Sequence, residues 1–147
     1  MPEARPRLVL AFDFGLRRIG VAAGDTLTRS AAPVCTLAAR QGEPDWAAID
    51  REIASRAPDL LVVGTPYNDD GTPTALAPAA TAFAAQLAAR YRLPVERADE
   101  RYSSLEATSR LREQRAAGTR RRAVRKTDID SAAAAVILDG WLALQEG

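Results

Sequence analysis

One carboxylate interrupts an apolar run near the start of the chain. The segment Leu8-Val9-Leu10-Ala11-Phe12-Asp13-Phe14, closed by Gly15, otherwise reads as a buried strand. An ionised, unpaired carboxylate in such a place costs on the order of 3 to 5 kcal/mol. Asp13 therefore has to be compensated by a protein cation, a bound metal ion or a shifted pKa. Arg17, Arg18 and Arg101 are the cations on offer. The chain contains no histidine. Imidazole catalysis and imidazole metal ligation are thereby excluded, and hydrolytic chemistry has to run on carboxylates, hydroxyls, Lys and Arg, with a hard, oxygen-seeking cation as the one fitting ion.

At 147 residues, 47% of them hydrophobic, the chain has material for one domain with a core, spanning 1–147, and not for two. Cys35 is the sole cysteine, which excludes an intrachain disulfide and a cysteine zinc site. Inside the apolar stretch from Ala31 to Leu37 it reads as a buried small side chain. No run approaches the roughly 18 apolar residues that span a bilayer, and Asp13, Arg17 and Arg18 break the segment where a signal core would lie. A soluble, cytoplasmic protein without a membrane partner is expected. Net charge is only +1 but uneven: from Arg110 to Lys126 eight cations stand against Glu113 alone, a net +7 that leaves −6 for the rest. A solvated basic loop accounts for that patch, and so does a footprint for a polyanion.

Arg7 to Phe14, Ile19 to Asp25 and Ala32 to Leu37 read as three strands of an antiparallel meander, joined by short turns. A helix from Pro44 to Arg56 follows on the spacing Trp46, Ile49, Ile53, and Leu60-Leu61-Val62-Val63-Gly64 reads as a strand covered on both faces. Leu76, Ala80, Phe83 and Leu87 mark a second helix, and Pro94 to Ala98 a fifth strand. Ser103-Ser104-Leu105-Glu106 fits a capping box for a third helix. Thr127 is the expected cap of a last helix with the stripe Ile129, Ala133, Val136, Ile137, Trp141 and Leu144. Right-handed crossovers then give an α/β fold with a mixed five-stranded sheet, three antiparallel meander strands followed by two parallel ones, and helices on both faces.

In that topology Asp13 on the central strand, Glu100 beyond the fifth strand and Asp130 in the first turn of the last helix can meet at one sheet edge. Three carboxylates without histidine suit magnesium or manganese, and a pair of such ions supports phosphodiester hydrolysis. Each acid also has a plainer explanation. Asp13 can pair with an arginine, Glu100 with Arg97 or Arg101, and Asp130 is favoured by the helix dipole alone.

Four segments carry a resemblance: LAFDFGLRRIGVAAGD (Leu10 to Asp25), VVGTPYNDDGT (Val62 to Thr72), DERYSSLEA (Asp99 to Ala107) and KTDIDSAAAAVIL (Lys126 to Leu138). In this order they resemble the YqgF family, also called RuvX, described as pre-16S rRNA nucleases with a ribonuclease H-like fold related to the RuvC Holliday-junction resolvases. The resemblance implies a nuclease that matures the 5′ end of 16S rRNA. It implies Asp13, Glu100 and Asp130 as a catalytic, metal-holding triad, with Mg²⁺ or Mn²⁺ as cofactor. It further implies that Gly15, Arg18 and Gly20 shape the site and that Gly64, Pro66, Asn68, Asp70 and Gly71 form a second signature loop. Arg18, Asn68, Arg101 and Lys126, with Arg120, Arg121, Arg122 and Arg125 of the basic segment, are the implied nucleic-acid contacts. Thr65, Tyr102 and Asp128 depart from the family pattern. The acid that resolvases place after the fourth strand is missing from Gly64-Thr65-Pro66-Tyr67, so Glu100 has to serve in its stead.

The expected partner is structured RNA, with branched DNA as the alternative, bound by a monomer or homodimer. Competing readings are a junction resolvase and a non-cleaving assembly factor. An actin-like kinase, whose phosphate loop also carries Asp-x-Gly after a strand, needs two domains, which this length does not supply.

Overall fold

In the computed structural model, residues 7–65, 74–99 and 126–145 are described. Within them the order is β1 (Leu8–Asp13), β2 (Arg18–Asp25), β3 (Ala31–Arg40), β4 (Glu43–Pro44), α1 (Trp46–Arg56), β5 (Leu60–Thr65), α2 (Ala77–Tyr91), β6 (Val95–Asp99) and α3 (Lys126–Ala143). The strands form one sheet in the order β4-β3-β2-β1-β5-β6. β1 runs antiparallel to β2 and parallel to β5, and β6 adds in parallel beyond β5. The mixed meander-plus-crossover topology is the one expected from the pattern of elements.

β1 is central because its apolar residues divide between two cores. Leu10 and Phe12, with Leu61 and Val63 of β5, pack on Ile49 of α1 and on Phe83 and Leu87 of α2. Val9 and Ala11, with Leu60 and Val62, pack on Ile137, Leu138, Trp141 and Leu142 of α3. Alternation along a strand makes these the two faces of the sheet, so Asp13, next in the series Val9, Ala11, lies on the α3 face. Phe83 ties the other face together, with ring centroids 5.7 Å from Phe12, 5.0 Å from Phe14 and 5.9 Å from Trp46. Each fully buried side chain of this size contributes about 1.5 to 3 kcal/mol.

Several local expectations need correction. The sheet has a sixth strand, because Gln41 and Gly42 both adopt positive φ (51° and 83°) and turn β3 back onto Glu43–Pro44; two left-handed residues in a two-residue loop are what a type I′ hairpin requires. Pro44 thus belongs to an edge strand. α1 starts at Trp46 instead, capped by the Asp45 carboxylate, which accepts from the Ala48 N–H at 3.2 Å. Thr127 is no cap either, since it lies inside the first turn of α3. Leu144 lies past the end of that helix and is 83% exposed, while Leu138 and Leu142 are fully buried in its place. Cys35 is half-buried, with its thiol 3.7 Å from Glu52 Oε1. The helix expected at Ser103 and the basic segment 110–125 lie outside the described residues.

Candidate active site

A row of residues across three strands forms the floor of the site. Asp13 on β1 pairs in register with Gly20 on β2, and Gly20 with Thr36 on β3. Asp130 and Ser131 lie directly on this row; because α3 begins at Lys126, Asp130 stands one turn into the helix and not in its first turn as expected. A Cβ on Gly20 would overlap the Asp130 carbonyl and come within 3.0 Å of the Ser131 amide nitrogen, so only glycine lets the helix terminus sit so low. Next to it, Thr36 Oγ1 donates to the Thr127 carbonyl at 2.6 Å. Ser131, buried at 8% exposure, donates back to the carbonyls of Thr127 and Asp128 at 3.3 and 3.2 Å.

The same close approach continues up the helix on alternate residues of β2. Ala22 packs on Ala134 and Ala135, and a Cβ on Gly24 would stand 3.2 Å from both Leu138 Cδ2 and Leu142 Cδ1. Gly20, Ala22 and Gly24 form a flat track on which an Ala-rich helix rests. The track fixes the height and direction of α3, and hence the place of Asp130 beside the end of β1.

Arg18 completes the arrangement from the start of β2. Its Nε donates to Asp130 Oδ2 at 2.6 Å, and the two side chains are 38% and 23% exposed. Such a short charge-assisted bond is stronger than a neutral one. Gly15 makes it possible, because a Cβ there would stand 2.6 Å from the Arg18 carbonyl. The turn Gly15 to Arg18, Leu76 and Ala79 of the α2 end, and Asp130 border an open depression of about 550 Å³.

Of the residues singled out from the sequence, Asp13, Arg18 and Asp130 are thus brought to one end of the α3 face. Lys126 is the first residue of α3. Asn68, Glu100, Arg101, Arg120, Arg121, Arg122 and Arg125 lie outside the described residues. Among the described residues no group of three or more acidic or cysteine side chains is close enough to hold a metal ion. The two acids that do share the site offer only carboxylate oxygens, a donor type that fits a hard divalent cation. Thr36 was not picked out from the sequence. Its signal was a lone hydroxyl in the half-buried run Cys35-Thr36-Leu37, too common a pattern to single out. No described helix is long and apolar enough to cross a membrane.

Similarities to known proteins agree with this architecture. A sequence profile described as RuvX, Holliday junction resolvase, matches residues 7–144. A Pseudomonas putida protein named "Putative pre-16S rRNA nuclease" is 45% identical over 136 residues, 92% of this chain and 94% of its own. Proteins of the same name from Azotobacter vinelandii (45% over 139 residues, 94% of each chain) and Nitrosococcus oceani (47% over 143 residues, 97% of this chain and 91% of that one) are equally similar. Among solved structures, Thermus thermophilus RuvC in complex with a Holliday junction substrate superposes with a TM-score of 0.50 at 14% identity, covering 89% of this chain and 91% of that one. The yeast mitochondrial Holliday junction resolvase Ydc2 does so with a TM-score of 0.51 at 12% identity, covering 91% and 77%. At these identities the likeness establishes the fold, which is ribonuclease H-like.

Proposed function

Because the chain belongs to the RuvX family, we propose that it is a divalent-metal-dependent endonuclease that processes the 5′ end of pre-16S rRNA in the cytoplasm, with residues 1–147 acting as one domain. The observation that carries this reading is the seating of α3 on Gly20, which brings Asp130 to the strand end that bears Asp13. Relatives at 45 to 47% identity named for pre-16S rRNA nuclease activity supply the substrate class.

In this reading Asp13 and Asp130, joined by Glu100, hold Mg²⁺ or Mn²⁺. Such an ion lowers the pKa of water and neutralises charge on a phosphodiester. The chain's own contribution is placement. β1 presents Asp13 from a rigid, buried strand, and the glycine track keeps Asp130 from drifting away from it. Arg101, Lys126 and the cations from Arg120 to Arg125 neutralise the phosphates of a structured RNA, with Asn68 as a further contact.

The test is to incubate the full chain with precursor 16S rRNA and with a four-way DNA junction, each with and without Mg²⁺ or Mn²⁺. Cleavage of the precursor that needs the ion, and that Asp13→Asn abolishes while RNA binding persists, is the expected result. Full activity in Asp13→Asn would reject the assignment. A second reading, junction resolution, is favoured by the description of the matching profile; it predicts symmetric nicks in the DNA junction and a dimer. Binding without cleavage under either ion would identify a non-cleaving assembly factor.

A further inference from the structure

We infer that the Arg18 guanidinium is a resident counter-ion of Asp130 that competes with a divalent cation for its carboxylate, so that Arg18 sets how tightly the site holds its ion. This deepens the metal-dependent reading above and rests on it. Three observations carry it. The contact is made by Nε to Oδ2 at 2.6 Å, on the very carboxylate that the proposed ion would use. Both partners are fixed through their main chains, Arg18 by the tight approach of its carbonyl to Gly15 and Asp130 by the seat on Gly20. And the pair is partly open, at 38% and 23% side-chain exposure, so an ion from solvent can reach it.

Magnesium approaches a carboxylate oxygen to about 2.0 to 2.1 Å. A guanidinium on the same group competes for the acceptor lone pairs and repels the dication through a short distance at reduced dielectric. Without the ion, Arg18 offsets the charge of Asp130 and holds its carboxylate in place at the end of β1. With the ion, the guanidinium either gives up Oδ2 or shares the carboxylate against that repulsion. Ion affinity is therefore reduced by the worth of the pair, on the order of 3- to 10-fold for a half-exposed, charge-assisted bond. Arg18 is thus a positioning residue for Asp130, and its first partner is a protein carboxylate before it is any phosphate.

The experiment is a Mn²⁺ titration of the full chain without nucleic acid, followed by calorimetry and by the electron paramagnetic resonance of free Mn²⁺, on wild type, Arg18→Gln, Arg18→Lys and Asp130→Asn. Arg18→Gln should bind Mn²⁺ about 3- to 10-fold more tightly than wild type, with Arg18→Lys between them and Asp130→Asn losing most of the affinity. Arg18→Gln should also gain more in melting temperature from saturating Mn²⁺ than wild type does. Unchanged or weaker affinity in both Arg18 variants, with binding still lost in Asp130→Asn, would overturn the inference and leave the metal reading intact. A wild-type protein that binds no Mn²⁺ would overturn both. Should Arg18→Gln fail to fold by circular dichroism, Arg18→Lys, which keeps the charge but not the directional Nε bond, decides the matter by the same comparison.

Discussion

Replacing Gly20 by alanine perturbs one contact on which the whole α3 face depends. The nearest atoms to the added carbon are all main chain, the Asp130 carbonyl and the Ser131 nitrogen, so no side chain can swing aside. The N-terminal part of α3, up to Ser131, has to lift. Lifting it also strains the Thr36 bond to the Thr127 carbonyl and opens the packing of Ala22 on Ala134 and Ala135. Overpacking against backbone belongs at or just above the upper end of the usual range, about 2 to 4 kcal/mol. For 147 residues, an unfolding entropy of about 2.1 cal/mol/K per residue turns this into a melting point lower by about 6 to 13 °C. Gly140 is the internal control, since it lies exposed on the same helix with nothing within 4 Å of an added Cβ. Gly140→Ala should raise the melting point by about 2 to 3 °C through helix propensity alone. Thermal unfolding by far-ultraviolet circular dichroism measures both. Cleavage by Gly20→Ala, assayed well below its melting point, should fall at least about tenfold, because a shift near 1 Å in a catalytic group is enough for that. A Gly20→Ala protein that melts within about 2 °C of wild type, or that cleaves normally, would refute the seating argument.

Thr36→Val should lower stability by about 1 kcal/mol by removing the 2.6 Å bond to the Thr127 carbonyl, and Thr36→Ser should restore most of it; equal melting points for all three would show that the hydroxyl does not hold the helix terminus. On the opposite face, Arg90 and then Tyr91 hydrogen-bond Asp50 and hold its carboxyl at about 2, below its ordinary 3.8. A folded-state pKa below the unfolded one means stability complete above pH 3.8 and lost as pH falls toward 2. Asp50→Asn should flatten the acid limb of a melting-temperature curve over that interval, and an unaltered limb would dismiss the linkage. Burial, and next the nearby Glu52 carboxylate, push the Cys35 thiol up to about 11. Its reaction with a disulfide reagent should therefore be slow at pH 7 and rise about tenfold per pH unit toward pH 10, and rapid labelling at neutral pH would contradict this environment.

How much of this was legible in the chain follows from how local each signal is. The strands were readable because Val9 to Phe12 and Leu60 to Gly64 carry their burial in their own composition, although Leu8 before them is exposed, and α2 because Ala80, Phe83 and Leu87 repeat at helical spacing. Where neighbouring signals competed, the reading slipped. Pro44 looked like a helix start until the left-handed pair Gln41-Gly42 made it part of a hairpin. Leu144 looked like core, but α3 ends before it, and the track on β2 draws in Leu138 and Leu142 instead. The family and the acids worth watching came from motifs that hold their meaning one segment at a time.

What sequence alone determined is that Asp13 sits in a strand that has to be buried, in a histidine-free chain whose remaining chemistry is carboxylate and cation. Tertiary structure decided which groups face each other: Arg18 with Asp130 across 112 positions, and Thr36 with Thr127 across 91. Pairings so distant are set by how closely a helix can rest on a sheet. That distance depends on an absent side chain at Gly20, and its effect shows only when the two elements are packed together.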